Sequence, residues 1–397
     1  MLTRREFVTT AAGLSLSGIG LSSAATRASR EPRFVLVLLR GGMDGLSAVV
    51  PYGDPAYAAR RGKLAIAAPG QRDGAFRLDD VFGLHPKLSA LGAMFQRGEL
   101  SVIPAVANAY HTRSHFDAQN VLDLGLSRPH AAHDGWLNRA LALLPHRTDK
   151  PNFAMSLGHA MPLVLQGAQP VSSWSPDRHP DPDEDTWQRL LKLYERDAFL
   201  HGQLAQAIDA QAMVGGSATA MKARRRDASA LFRAAGSLLA RADGPRLIVL
   251  EVHGWDTHAQ QGAASGRLAN QFGRLSMGLA TLAKGAGDAW SQTVGLAVSE
   301  FGRTVNVNGT GGTDHGTAGA GLIFGGGVRG GQIIGEWPGL AEAALVDGRD
   351  LRPSIDVREV FLGVLADHFV VDADRLAADV FRDRALRPVP NLVRRGA

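Results

Sequence analysis

The chain has no cysteine among its 397 residues. That excludes disulfides, thiolate zinc sites and cysteine nucleophiles, so any metal must sit on histidines and carboxylates. A block of Lys and Arg with interleaved aromatics is also missing; the formal charge of +5 is background, and nucleic acid is not an expected partner. No internal repeat is visible. Beyond the N-terminal region, no stretch is long and apolar enough to span a bilayer. What is there has the balance of a globular protein, with 45% hydrophobic and 20% charged residues. Its length fits one large α/β domain or two modest ones.

The N-terminal stretch MLTRREFVTTAAGLSLSGIGLSSAA places Arg4 and Arg5 before a mildly apolar run that ends in small residues. It resembles a twin-arginine export signal, with cleavage expected after Ala25. A membrane anchor would want about 20 strongly apolar residues, whereas this run is diluted by glycine and serine. Residues 1–26 are therefore assigned to a signal peptide and 31–397 to the mature α/β domain. The expected partner is the twin-arginine export machinery, the expected location is periplasmic or secreted, and no stable membrane anchor is expected after cleavage. That route carries folded proteins, often with a metal already loaded.

Short apolar, β-branched runs punctuated by glycine read as buried strands: residues 34–39, 100–107, 246–252, 293–299 and 320–324. Helical patterns lie between them, over 186–212, 218–242 and 268–284, and again after Ser354, where Val357, Val360, Phe361 and Val364 share a face. Strands alternating with helices predict a mainly parallel sheet. The proline-rich and acidic segment 172–185 reads as a surface loop leading into a helical insertion at approximately 183–243.

In an open parallel sheet, ligands sit beyond the carboxyl ends of the strands. The residues found there are Arg40 and Asp44 after the first strand; His111, Ser114, His115 and Asp117 after the second; His253, Asp256 and His258 after the 246–252 run; Glu300 and Arg303 after the next. Asp314 and His315 come just before the last. Histidines and carboxylates thus gather at one rim, which points to a metal or anion site.

Each candidate also has a plainer structural reading. Asp256 and His258, two apart, face the same way in extended backbone, but a turn Asp with a surface His would look the same. Asp314 beside His315 in a glycine-rich loop can chelate, and Asp44 can be a turn former. Ser114 with Asp117 forms a capping box, yet the same helix start directs free N–H groups at an anion, which suits a nucleophile site. Gly325, Gly327 and Gly330 match a lone dinucleotide pattern, but no helix pattern opens there.

The series TRREF, LLRGGMDGLSAVVPYGDPAY, FGLHP, RSHFDAQ, GWLNR, GWDTHAQQ, SEFGRT, GTDHGTAGAGLIFGGGVRGG and GEWPGL resembles the exported bacterial family catalogued as domain of unknown function family 1501. That family is grouped with the alkaline phosphatase superfamily of phosphatases, sulfatases and phosphodiesterases. The resemblance implies a three-layer α/β sandwich and two divalent metals about 4 Å apart. It places Asp44 as the first metal aspartate, Ser114 as the nucleophile, and Asp256 and His258 as the middle pair.

The next pair has two registers. One puts Asp314 and His315 there. The other, which keeps order and spacing, puts Glu300 and Phe301 there and makes His315 the final histidine. In the second register Asp256, His258 and His315 suit Zn²⁺ or Mn²⁺. Asp44 and Glu300, with Asp314 as a further candidate, would hold a harder ion such as Mg²⁺ or Ca²⁺ weakly or not at all. Arg40 and Arg303 are expected to neutralise substrate oxygens. The implied activity is hydrolysis of a small anionic phosphate or sulfate ester; the alternatives are a non-catalytic binding or assembly protein on the same fold, or a mutase.

Overall fold

The run from Phe34 to Leu39 is apolar at every position because both of its faces are covered. In the computed structural model, which describes residues 31–145, 151–158, 160–175, 184–195, 197–205 and 228–394, it lies within strand β1, Arg33–Arg40. The expected signal peptide and residues 206–227 of the expected helical insertion lie outside the described residues. The remaining strands of the main sheet are β2 (Leu100–Ala107), β3 (Ala154–Leu157), β4 (Ser172–Trp174), β5 (Leu247–His253), β6 (Thr293–Val298), β7 (Gly319–Phe324) and β8 (Ile355–Asp356). All five strands read from the sequence are present.

Their order across the sheet is β8-β2-β7-β6-β1-β5-β3-β4. Every adjacent pair is parallel except the two that involve β7, which runs antiparallel to both β2 and β6. The mainly parallel α/β architecture follows the sequence expectation. One correction concerns 172–185: its first three residues form edge strand β4, with Ser172 and Trp174 buried, and are not surface loop.

The helices that cover the sheet are α1 (Ser89–Gln96), α2 (His115–Leu124), α3 (Trp136–Leu141), α4 (Ala228–Ala240), α5 (Arg267–Ala286) and α6 (Val357–Phe369). Alternate side chains of β1 face opposite layers. Val35, Val37 and Leu39 pack with Leu91 of α1, Phe232 and Leu238 of α4, and Phe272 and Leu279 of α5. Phe34, Leu36 and Leu38 pack with Leu122 of α2, Trp136 of α3 and Val360, Phe361 and Val364 of α6. The result is a three-layer sandwich. Helix α4, at the C-terminal end of the range read as an insertion, belongs to the layer that covers the sheet.

Parallel strands β1, β2, β5 and β6 end at one edge of the sheet, and antiparallel β7 begins there. The loops after the first four and the loop before β7 therefore share a rim, which is why Asp314 and His315 precede their strand while the other candidates follow theirs. No helix among the described residues is long and apolar enough to cross a membrane.

The stacking of Trp136 on Phe361, with ring centroids 4.5 Å apart and planes at 17°, ties α3 to α6 across one layer. Trp136 is wholly buried, so Trp136→Ala is expected to lower the unfolding free energy by about 3–5 kcal/mol; a urea denaturation midpoint that does not move would contradict this packing.

Candidate metal centre

Three histidines and one aspartate meet at the rim. Helix α2 starts at His115, one residue after its capping Ser114. The loop after β5 supplies Asp256 and His258, and the loop before β7 supplies His315. The Nε2 atoms of His258 and His315 are 2.9 Å apart. Asp256 Oδ1 lies 3.0 Å from His258 Nε2 and 3.6 Å from His315 Nε2, and Oδ2 lies 3.5 Å from His115 Nε2. The ligand atoms of His115, Asp256 and His315 lie within 4.8 Å of one another.

Every imidazole has its far nitrogen fixed. His115 Nδ1 is 2.8 Å from Glu300 Oε1, His258 Nδ1 is 3.3 Å from Asp314 Oδ1, and His315 Nδ1 is 2.9 Å from the Arg113 carbonyl. Acceptors at Nδ1 hold the proton there and leave each Nε2 with its lone pair turned toward Asp256, the arrangement found behind histidine ligands of metals. Two features make the fit to a cation specific. His115 Nε2 is buried without a hydrogen-bond partner. The His258 and His315 nitrogens face each other at hydrogen-bond distance, although acceptors already claim the protons of both rings. Ligands at 2.0–2.1 Å from a tetrahedral zinc are about 3.3 Å apart, close to the measured separations.

The electrostatics keep most of the ligand set ionised or neutral as a metal needs. Burial lowers the pKa of His315, and the neighbouring charges of His115, Arg303 and His258 lower it further. Burial raises the carboxyl of Asp256, but its bond from Arg303 outweighs this and holds it below the usual range. The hydrogen bond to Glu300 raises the pKa of His115, so a proton competes for that ring in the metal-free protein.

Arg303 sets the position of Asp256. Its guanidinium, with no exposed surface, donates to the carbonyls of Gly41, Gly42, Trp255 and Thr313 and to the Asp256 carboxylate. Gly41 and Gly42 have φ of +121° and +65°. Cβ atoms there would lie 2.7 Å from the Asp256 amide nitrogen and 2.5 Å from the Phe301 ring, so the double glycine is what lets the loop after β1 pack under the site.

Several expected roles change. Arg303 is consumed by the protein and does not face a substrate. Arg40 is buried, bonded to Asp123 at 2.7 Å and Glu251 at 2.8 Å, and does not reach the cluster. Asp44 is not placed as a metal ligand: it caps the short helix Gly45–Ala48 and accepts bonds from Ser47, Arg61 and Gln261 in full burial. Its carboxyl is raised by burial, but Arg61, Gln261 and Ser47 bring it below the usual range. Glu300 stands behind His115, its Oε1 taken by the Gly41 amide, His115 and Gln119 and its Oε2 by Ser299. Asp314 stands behind His258 and also accepts from Asn308.

The carboxylates expected at a second ion are therefore engaged elsewhere. Phe301 packs on two of the imidazoles, its ring centroid 4.7 Å from that of His115 and 4.8 Å from that of His315. Glu300 and Phe301 follow close on the end of β6 at Val298, and His315 precedes β7. His115 is among the rim residues named from the sequence, but nothing there gives it a ligand role. The cap signal of Ser114 drew attention, while the clue was a histidine one position into a helix whose start faces the rim.

Residues 31–380 match the family described as "Protein of unknown function (DUF1501)", and the chain belongs to that family. No curated protein matches it. Among solved structures it is similar to the phosphonate monoester hydrolase of Agrobacterium radiobacter, at 12% identity over 86% of this chain and 74% of that one, with a TM-score of 0.35. It is similar also to the PsFucS1 sulfatase from Pseudoalteromonas sp., at 13% identity over 94% and 75%, TM-score 0.37. A third is the C-terminal periplasmic domain of EcEptC from Escherichia coli in complex with Zn, at 10% identity over 75% and 74%, TM-score 0.35.

Two outcomes follow from this geometry. Metal titration is expected to give one divalent ion per chain. Glu300→Gln should weaken it about 10–100-fold, His115→Ala should weaken it more, and Asp44→Asn should lower stability while leaving the stoichiometry at one; two tightly held ions would contradict the engaged carboxylates. In the metal-free protein, burial raises the Glu300 carboxyl, but His115, Gln119 and the Gly41 amide hold it down at about 2. A depressed acid stabilises the fold above its unfolded value and loses that contribution as pH falls. The wild type should therefore lose on the order of 3 kcal/mol between pH 4.5 and 2 relative to Glu300→Gln, as read by denaturant unfolding at each pH.

Proposed function

We propose that this member of the DUF1501 family is an exported, metal-dependent hydrolase of phosphate or sulfate esters, periplasmic or secreted, built on a single ion held by His115, Asp256, His258 and His315. The observation that carries this reading is the common orientation of the three imidazoles, each with Nδ1 on an acceptor and Nε2 toward Asp256. Such a donor set suits Zn²⁺, then Mn²⁺, and is a poor match for Mg²⁺ or Ca²⁺, which take oxygen ligands. When bound, the ion supplies Lewis-acid stabilisation of developing negative charge.

The chain's own residues do the rest. Ser114, immediately before His115 at the start of the ten-residue helix α2, serves as the nucleophile in this reading. Its capping contact with the Asp117 amide is long, at 3.5 Å, which leaves the hydroxyl weakly committed. Arg113, just before it, holds a left-handed φ of +67°, a conformation that needs support from its surroundings. That support is the Arg113 guanidinium on buried Asp350 at 2.7 Å. The free amides and positive dipole end of α2 stabilise the non-bridging oxygens, in place of Arg40 and Arg303. The Ser114 oxygen attacks phosphorus or sulfur, the ester oxygen leaves as the alcohol, and water then releases the inorganic anion from Ser114.

The rival reading, an exported binding or assembly protein that retains the ion, is favoured by Phe301 packed on two of the histidines. Turnover decides between them. Purified protein loaded with Zn²⁺ or Mn²⁺ is expected to hydrolyse at least one of an aryl phosphate, a phosphodiester or an aryl sulfate. Ser114→Ala should lower that rate more than about 10³-fold with the ion still bound. No turnover with any metal would select the rival, and turnover indifferent to Ser114→Ala would remove the nucleophile.

A further inference from the structure

Asp44 does something other than bind metal, and the consequence lies beside the metal centre. Its buried carboxylate ties Arg61 to Gln261, with Gln261 Nε2 at 2.6 Å and Ser47 Oγ at 2.9 Å. Arg61 ends the short helix Tyr57–Arg61, whereas Gln261 lies in the loop after β5. Their chain neighbours Lys63, Leu64, Gln260 and Gly262 form two walls of a cleft of about 300 Å³, closed on a third side by Thr310 and Gly311. Gln261 fixes that third wall too: its amide donates to the Gly311 carbonyl at 3.0 Å, and its Oε1 accepts from Thr313 at 2.7 Å. The cleft is thus framed by buried hydrogen bonds.

The cleft is tied to the metal centre through the main chain at His258. The Thr310 hydroxyl donates to the His258 carbonyl at 2.6 Å, Ala259 pairs with Gly311 as a β-bridge, and Gln260 follows His258 by two residues. One short strip of chain therefore carries a metal-facing imidazole at one end and a cleft wall at the other. Into this space the protein turns a cation. Lys63 lies along Gly311, where an added Cβ would meet its Nζ at 2.9 Å, and Gly311 has φ of +75°. Lys63 makes no ion pair among the described residues. By contrast Arg40, Arg61 and Arg303 are all spent on internal carboxylates.

The geometry points to a substrate subsite in this cleft, in which the Lys63 ammonium and the Gln260 side chain bind a second anionic group on the part of the ester that is not hydrolysed. This rests on the ester-hydrolase reading and narrows its substrate to esters that carry two separated negative groups. A lone ammonium in a partly open cleft contributes affinity through one charge-assisted hydrogen bond, on the order of tenfold, and salt screens it.

The test uses Zn²⁺-loaded Ser114→Ala protein, so that nothing turns over, and calorimetric binding of fructose 6-phosphate and fructose 1,6-bisphosphate at low salt. The bisphosphate is expected to bind about tenfold tighter. Adding Lys63→Ala should erase that preference without weakening the monophosphate, Lys63→Arg should retain it, and His258→Ala should weaken both ligands alike. Because Lys63 is exposed, its replacement does not endanger the fold. A preference that survives Lys63→Ala overturns the subsite and leaves the ester site standing. Failure of both sugars to bind a protein shown to carry its ion overturns the ester site and the subsite with it.

Discussion

The guanidinium of Arg303 is the constraint on which the site depends. It is a charge taken fully out of water, which is costly unless every donor finds an acceptor. The acceptors it finds come from the loop after β1, the loop after β5 and the loop before β7, together with the Asp256 carboxylate. One side chain thereby fixes three stretches of irregular backbone that no sheet ladder reaches. The three imidazoles then close on an aspartate that is already immobile. Their orientation is inherited from this arrangement and from the acceptors behind them.

Those acceptors differ in kind. His115 leans on a fully buried carboxylate, His258 on a half-exposed one, and His315 on a backbone carbonyl. The buried anion raises the pKa of His115, whereas burial lowers that of His315 on its carbonyl. His315, on the weakest acceptor, depends on the conformation of Arg113. That conformation depends in turn on buried Asp350, in the segment that leads into β8. The centre is therefore coupled to a part of the chain far from it in sequence.

Much of this was legible in the sequence. The five core strands announce themselves because two-sided burial leaves no polar position to interrupt them, and the sheet topology then carries Asp256, His258 and His315 to one rim. The edge strand Ser172–Trp174 was hidden, since three residues beside a proline-rich run carry no periodicity. Asp44, Arg40 and Arg303 were misread for one reason. A charged residue at the end of a buried strand looks alike in sequence whether it faces a ligand or a buried partner of opposite sign, and here the partners Arg61, Asp123 and Asp256 are 17, 83 and 47 residues away. His115 was obscured because a helix start is explained well enough by its capping serine. Which way the next side chain turns depends on Glu300, a contact 185 residues distant.

The left-handed double glycine after β1 reaches beyond packing. Any Cβ at the second glycine must be accommodated within 2.5 Å of the Phe301 ring, in a backbone conformation that side chains resist. Restoring a ligand at Phe301 alone would gain no partner, and altering the turn alone would collide. Neither single step is favourable without the other, so substitutions in this neighbourhood should be strongly epistatic, and point mutation does not readily cross the valley in sequence space that separates this packing from an opened one.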